Sequence, residues 1–536
     1  MFSKSFSVIK SAVLLLALLA SLPGPAAAQG LKLNLPGATP LQQLVGNAVI
    51  NMCAGALLPL EGKYSSPQEA DLTTQCTAIV VASGGPTSAV TATQPALLGA
   101  VQQVSGNQIS TQGALALRVG AGQFANISGR LDTLRLGGNL SLSQNLAAFQ
   151  DSAPSGPAAL MAGTPQTFSF AVDPSVQAGS VAPYTAQPLS GGAADGMMYI
   201  SYFADADSPL RTLRSDSSAG GGAAGSGSVA APIPNPWGLY VQGSYNSGHH
   251  DLTNNEDPFD FHAASVTAGL DYNFGTGVLG ASVGYDDYDA GLRTAGLLVS
   301  GGSAQVQATS GSLYGAWFGQ NWTFNGIATY GGLTTNLTRV VKYNLTEICS
   351  PPTCTSVNRT LTGSPDGRSF AIGATAGYQA HADSWDIVPS LSVNYRRVTV
   401  DSFTENDPDP NDGLALSFAD QTVESLRSVV AVDLSRPLSV SFGVVTPIVR
   451  VEWDHEFKNG VRTIDAHYAF DPTANTTCLS CFALPTDAPV ANYGIAAVGL
   501  SVTLARRVQA FVYDEALFGY NDYHSNAVTL GLRGQF

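Results

Sequence analysis

The sequence predicts an all-β transmembrane barrel of 12 antiparallel strands preceded by a small, mainly α-helical segment. Three observations carry this. The chain ends in a strand, with Val528, Leu530, Leu532 and Phe536 on one parity and Thr529, Gly531, Arg533 and Gln535 on the other. About 300 residues before that end show the same alternation, which suits a wall with hydrocarbon on one side and a polar interior on the other. Connections between these strands alternate short and long, the asymmetry of outer-membrane barrels.

Residues 1–28 read as a secretory signal peptide. Lys4 and Lys10 supply the positive region, Ala12 to Leu22 the apolar core, and Ala26-Ala27-Ala28 a small-residue cleavage site. That apolar run is too short to span a bilayer. No later stretch holds 18 consecutive apolar residues, so a membrane crossing by the mature chain is expected through a closed barrel. Export through the Sec machinery to the outer membrane follows. Of the 536 residues, 44% are hydrophobic and 12% charged, and the net charge is −15. Nucleic acid is excluded as a partner, because phosphate neutralisation needs clustered Lys and Arg.

Residues 29–138 read as helical. Thr39-Pro40 is an N-cap followed by a proline at the first helical position, and Ser66-Pro67-Gln68-Glu69 is a capping box. Leu41, Leu44, Val45, Ala48 and Met52 mark the first helix face; Leu72, Cys76, Ile79 and Val80 mark the second. A third stretch runs from Pro95 to about Leu136, with Phe124, Ile127, Leu131 and Leu134 as its best face. Gly113, Gly120 and Gly122 are expected to weaken its middle. Residues 139–235 are irregular and rich in Gly, Ala, Ser and Pro, and from Ser217 they read as a flexible linker. That linker is expected either to thread the lumen or to hang below it. The barrel is assigned to residues 236–536.

Six cysteines suit an oxidising compartment. Among the fifteen connectivities six cysteines allow, pairing of sequence neighbours is chosen: Cys53 with Cys76, Cys349 with Cys354, Cys478 with Cys481. The first pair would bridge a two-helix hairpin. The other two fall in the long connections Asn336 to Gly367 and Lys458 to Val490.

The barrel interior is expected to carry Arg396, Arg427, Asp433, Arg450 and Glu452, paired across a polar lumen. All seven histidines lie at or beyond position 249, so the helical segment has none for a Ser-His-Asp or Cys-His site. No catalytic, cofactor or metal residues are assigned. His249, His250, His262, His455 and His524 read as interfacial or lumen packing. Glu256, Asp257, Asp260, Asp286, Asp287 and Asp289 read as solvated loop charge, since they lack calcium-loop spacing.

Three stretches of the strand region resemble the autotransporter β-barrel, the translocator of type V secretion. They are Ser425 to Ser428, Thr446 to Phe457, and the run from Leu484 through Tyr520-Asn521-Asp522-Tyr523 to Phe536. The helical region, with the Gln123 to Leu131 stretch, resembles more loosely the short pre-barrel segment of some autotransporter-domain proteins. The resemblance implies a non-enzymatic translocator or anchor in outer-membrane lipid, inserted by the barrel assembly machinery, which reads the last strand. Here the mature segment before the barrel is short and without repeats, and Asn235-Pro236 replaces the paired asparagines of self-cleaving members. The alternative is a porin-like or structural barrel whose helical segment stays periplasmic.

Deleting Phe536, or replacing it with Asp, is expected to lower the amount of folded, heat-modifiable barrel in outer-membrane fractions. Wild-type levels in the variant would remove the terminal residue from the assembly signal.

Overall fold

Twelve strands close on themselves in the computed structural model, which describes residues 31–33, 35–60, 63–84, 95–138, 236–346, 356–504 and 508–535. The strands are β1 (Trp237–His250), β2 (Phe259–Asn273), β3 (Gly277–Leu292), β4 (Gly302–Phe318), β5 (Trp322–Asn344) and β6 (Asp366–Tyr378). They continue with β7 (Trp385–Val400), β8 (Gln421–Ser435), β9 (Gly443–Glu456), β10 (Asn492–Leu504), β11 (Val508–Phe518) and β12 (Tyr523–Gln535). Each pairs antiparallel with its sequence neighbour, and β12 returns to β1 in a register from Gly238↔Gln535 to His250↔Tyr523. Closure leaves no strand edge in hydrocarbon, where an unpaired peptide group costs several kcal/mol.

The side chains facing out define the lipid band. On three strands an aromatic near one rim is followed, eight residues along, by an aromatic near the other: Trp237 and Tyr245, Trp322 and Tyr330, Phe370 and Tyr378, all exposed. Eight residues span about 26 Å of strand. A tilt of 35–45° reduces that to roughly 20 Å along the membrane normal, close to the height of an outer-membrane apolar band. Trp237 packs edge-on to Tyr272 and Trp322 edge-on to Tyr378, so the girdle at the short-turn end is continuous between neighbouring strands. Tight turns belong to this end: Gly275, at φ +92°, donates its N–H to the Asn273 side chain at 2.8 Å between β2 and β3. Both ends of the barrel chain lie here; outer-membrane barrels carry short turns at the periplasmic end and long connections at the external end, and the two ends are named accordingly.

Those connections are not simple loops. β5 continues 14 residues past Tyr330, and Ser356–Gly363 folds back along its outer half. Phe403–Thr404, Leu416–Phe418, Thr463–Tyr468 and Phe482–Pro485 form a separate four-stranded antiparallel sheet. The sequence reading placed only long loops there. Short strands of two to six residues offer too little alternation to be seen without their partners.

Among the described residues four α-helices precede the barrel: α1 (Pro40–Met52), α2 (Pro67–Ala82), α3 (Pro95–Val104) and α4 (Ile109–Gly138). Thr39 and Gln42 form a reciprocal capping box on α1. Ser66 caps α2 through the Glu69 N–H, but the Glu69 carboxylate accepts from the Ser65 N–H and hydroxyl rather than closing the box on Ser66. After α1 the chain makes one π-helical turn, Cys53–Leu57, and Cys53 is bonded to Cys76 of α2 with Cα atoms 5.8 Å apart. Among the described residues one helical run, Pro40–Leu60, is long and apolar enough to cross a membrane. It is instead a core helix, with Leu41, Val45, Ile50, Met52 and Leu57 essentially inaccessible.

What α1 to α3 bury themselves against is the external part of the barrel. Their apolar faces share one core with Val341, Tyr343 and Leu345, with Val357 and Leu361, and with Leu416, Phe418, Ile464, Tyr468 and Leu484. Polar contacts fix the same surface. Arg359 forks onto Asp71 of α2 at 2.6 and 2.8 Å and reaches Asp412 at 3.0 Å. Arg339 pairs with Glu405 and donates to the carbonyls of Gln103 and Leu414. Tyr468 donates to the carbonyl of Val104, the last residue of α3. These partners all belong to the long-loop end of the barrel, either in β5 beyond Tyr330 or in the connections. The helices are therefore not a free-standing unit on a tether.

Replacing Leu361, which is fully buried in that shared core, with Ala is expected to destabilise the external assembly by about 2–4 kcal/mol. Hydrogen exchange should quicken in residues 40–104 while the barrel stays heat-modifiable. Unchanged protection of the helices would show that Leu361 does not support them.

Candidate functional site in the barrel lumen

The lumen is occupied by α4. Thirty residues at 1.5 Å each give a helix of about 45 Å, longer than the lipid band. It enters beside the external mouth, where the Tyr288 hydroxyl donates to the Arg118 carbonyl and the Arg118 guanidinium lies 3.9 Å from the Tyr523 ring. It reaches the periplasmic rim, where Leu134 packs with Val278 and Ala316. The stretch read from Pro95 is interrupted at residues 105–108, whereas the three glycines expected to weaken its middle leave the helix from Ile109 unbroken. Its propensity cost is offset by fit: a Cβ on Gly122 would lie 2.4 Å from Ser265 Oγ and 2.8 Å from Asp286 Oδ1. The barrel wall reciprocates, because a Cβ on Gly373 would lie 2.2 Å from the Phe124 ring.

One face of α4 carries a polar stripe at helical spacing. Gln123 donates to the Val266 carbonyl at 3.2 Å and accepts from Thr267 Oγ1 at 2.6 Å. Asn126 donates to Thr267 at 2.8 Å. Arg130 donates through Nε to Asp271 at 2.9 Å, with its guanidinium 5.0 Å over the Tyr240 ring; both charges are about 1% exposed. The registers agree. Seven helical residues from Gln123 to Arg130 rise about 10.5 Å. Four strand residues from Thr267 to Asp271 advance about 13.6 Å, or roughly 10 Å along the axis at a tilt near 40°. Helix and strand thus descend in step, and each polar group meets its partner. Ile127, Leu131 and Leu134 fill the remaining space beside Tyr240, Tyr314 and Ile327.

The helix lies against the β1 to β7 side and leaves a cavity of about 750 Å³ open toward β8 to β12. The five charged residues assigned to the lumen, Arg396, Arg427, Asp433, Arg450 and Glu452, all line it. Arg427 pairs with Asp454 at 2.6 Å and donates to the Tyr493 hydroxyl at 3.0 Å. Arg450 bridges Asp433 at 3.1 Å and Glu452 at 3.0 Å. Two of the three assigned arginines are thus matched by carboxylates, and Arg396 lines the same wall.

Of the six acidic residues near the early external connections, Asp260, Asp287 and Asp289 face solvent as expected and three do not. Glu256, Asp257 and Asp286 are buried. Asp257 accepts from Asn107 at 3.2 Å and Gln102 at 3.4 Å, holding the turn between α3 and α4. Asp286 accepts from Ser265 and Gln123. Burial raises Glu256 to about 7, against the N–H of Asp487, and raises Asp257 to about 6, against its two amide donors. Nothing in the local sequence marks these carboxylates as anchors, because each has a partner 150 or more residues away.

The histidines divide by face. His250 points inward and stacks on Phe259 with ring centroids 5.2 Å apart. His249 and His524 meet across the β1–β12 seam at 4.7 Å. His262 lies 3.7 Å from Asp289, and His455 contacts Asn492 at 2.9 Å. Of the remaining assigned residues, Cys478 and Cys481 are bonded in the connection between β9 and β10. Cys349, Cys354 and Phe536 lie outside the described residues.

Arg130→Ala strands Asp271 in a dry site and is expected to weaken seating of α4 by about 3–5 kcal/mol. Single-channel conductance in planar bilayers should rise. The Arg130→Ala/Asp271→Ala double variant should recover part of the closure, since no bare charge remains. Equal conductance in wild type and the single variant would show that the pair does not hold the helix.

The chain was compared with known proteins. A family model described as the autotransporter beta-domain matches residues 239–513, just over half of the sequence. A curated relative, an uncharacterized protein in the trpE-trpG intergenic region of Pseudomonas putida, is 29% identical over 122 residues. That match covers 22% of this chain and 20% of the relative, so the chain spans about a fifth of that protein's length. Similar solved structures include the translocator domain of autotransporter NalP from Neisseria meningitidis, at 13% identity and a TM-score of 0.43, covering 56% of this chain and 89% of that one. The transport unit of autotransporter AIDA-I from Escherichia coli has 13% identity and a TM-score of 0.37, covering 57% and 92%. The extent of the family match decides the matter: this chain belongs to the autotransporter beta-domain family.

Proposed function

We propose that this protein is an outer-membrane translocator and anchor that carries its own short helical segment to the cell surface and keeps it there as a cap. The barrel belongs to the outer membrane, with its apolar band in lipid. The observation that carries the reading is the path of the chain. The helical segment lies at the external end, α4 passes inward through the lumen, and β1 starts at the periplasmic rim.

Retention rather than release is supported by two sets of contacts. The external core joins α1 to α3 to the barrel's long connections. The lumen stripe, ending in the Arg130–Asp271 pair, holds α4 to β2. The cap supplies no histidine, which favours a binding or structural role over nucleophilic catalysis. Sec export and insertion by the barrel assembly machinery follow from the signal-like amino terminus and the terminal strand. The porin-like reading is disfavoured by a helix occupying most of the lumen.

An epitope inserted at Gly84, in the turn that ends α2, is expected to bind antibody on intact cells. The full-length chain should stay in the membrane fraction, without a shed helical fragment in the medium. Labelling only after the outer membrane is permeabilised would overturn surface display. A soluble fragment containing the tag would overturn retention.

A further inference from the structure

A cluster at the external mouth of the lumen is not absorbed by the translocator reading. His250 ends β1, Glu256 lies in the connection from β1 to β2, and Asp487 lies in the connection from β9 to β10. One ligand atom from each falls within 4.8 Å of the others. His250 and Glu256 are more than nine-tenths buried. His250 Nδ1 has no hydrogen-bond partner. His250 Nε2 lies 3.8 Å from Glu256 Oε2 and 3.9 Å from Asp487 Oδ2.

Those two distances are too long for hydrogen bonds. They are close to what a shared ion requires. Two ligands about 2.1 Å from one metal, at angles of roughly 110–130°, stand about 3.4–3.8 Å apart. The carboxylates are also held in place from behind. Glu256 Oε1 accepts from the Asp487 N–H at 3.0 Å, which leaves Oε2 facing the imidazole. Asp487 Oδ1 accepts from Asn255 Nδ2 at 3.0 Å, while Oδ2, the oxygen facing the imidazole, also accepts from Thr253 Oγ1 at 2.6 Å and keeps a second lone pair for an ion. Outer hydrogen bonds that orient ligands in this way are usual around metal centres.

We propose that His250, Glu256 and Asp487 bind a divalent transition-metal cation of the zinc class. One imidazole nitrogen with two carboxylate oxygens favours such an ion over calcium or magnesium, which prefer all-oxygen shells. Three protein ligands leave a coordination position toward the lumen cavity, which all three residues line. The ion staples two external connections more than 230 residues apart in sequence. Asp257, beside Glu256, holds the turn into α4, so the staple steadies the place where the chain enters the barrel. Sequence spacing alone assigns no metal ligands because the third ligand comes from a distant connection. The site does not depend on whether the cap is retained or released.

The test uses the untagged full-length protein, folded in detergent, stripped with a chelator and titrated with zinc chloride by calorimetry. A second group, His249, Asp251 and His524, lies on the other face of the same seam and could take zinc itself. Variants therefore separate the two. Wild type should bind zinc with a thermal stabilisation of the barrel. His250→Ala and Glu256→Gln should each weaken that binding by at least ~10-fold and abolish the stabilisation. His249→Ala/His524→Ala should retain both. Heat-modifiability on gels confirms folding; if His250→Ala fails to fold, the near-isosteric Glu256→Gln decides. Absence of zinc binding by the folded wild type, unchanged binding in Glu256→Gln, or loss in the His249→Ala/His524→Ala protein would each overturn the proposal.

Discussion

Backbone hydrogen bonding at the β1–β12 seam is the constraint on which everything else rests. Hydrocarbon offers no partner to an N–H or a carbonyl. The first and last strands must therefore pair along their length, as they do from Gly238 to His250. Closing the sheet fixes the strand number and sets the lumen width. It also gathers both ends of the barrel chain at one rim. The position of that rim decides which connections are external and where a helix entering from the other end must finish.

Inside the closed wall, shape and polarity act together. A 12-stranded lumen is too wide for side chains alone to fill, and α4 occupies much of it. Its seat needs missing side chains on both surfaces, seen at Gly122 on the helix and Gly373 on the wall. It also needs polar groups at matching heights, seen in Gln123, Asn126 and Arg130 against Thr267 and Asp271. Burial of the Arg130–Asp271 pair adds little net stability by itself, because desolvation offsets most of the attraction. Its effect is on register, since a helix displaced by one turn would strand both charges. The cavity left over is lined by charged groups, among them Arg427 and Arg450 with their carboxylate partners.

Much of this was legible in the sequence because it repeats with short periods. Strand parity, short turns and the aromatic positions such as Trp322 and Tyr330 can all be read from neighbours in the chain. So can Thr39 as a cap and the Phe124, Ile127, Leu131 and Leu134 face of α4. What could not be read depends on partners far away. Asp257 looks like loop charge until Asn107 is placed beside it. Gly122 looks like a helix weakness until Ser265 stands 2.4 Å from its absent Cβ. The sheet built from Leu416–Phe418 and Thr463–Tyr468 uses strands too short to show a period. The two-helix hairpin was legible, but the surface it packs against was not, because that surface is assembled from three separate stretches of the chain.

The end of α4 and the start of β1 lie at the same periplasmic rim, with residues 139–235 between them in the chain. The chain joining cap to barrel therefore starts and finishes at one rim. A peptide bond broken in that stretch would convert the molecule into a two-piece complex, held by the lumen stripe and the external core alone. A cut between α2 and α3 would instead leave α4 seated in the lumen. In the proposed topology, control over what the cell displays outside would thus rest on cleavage of a stretch that begins and ends at the periplasmic rim.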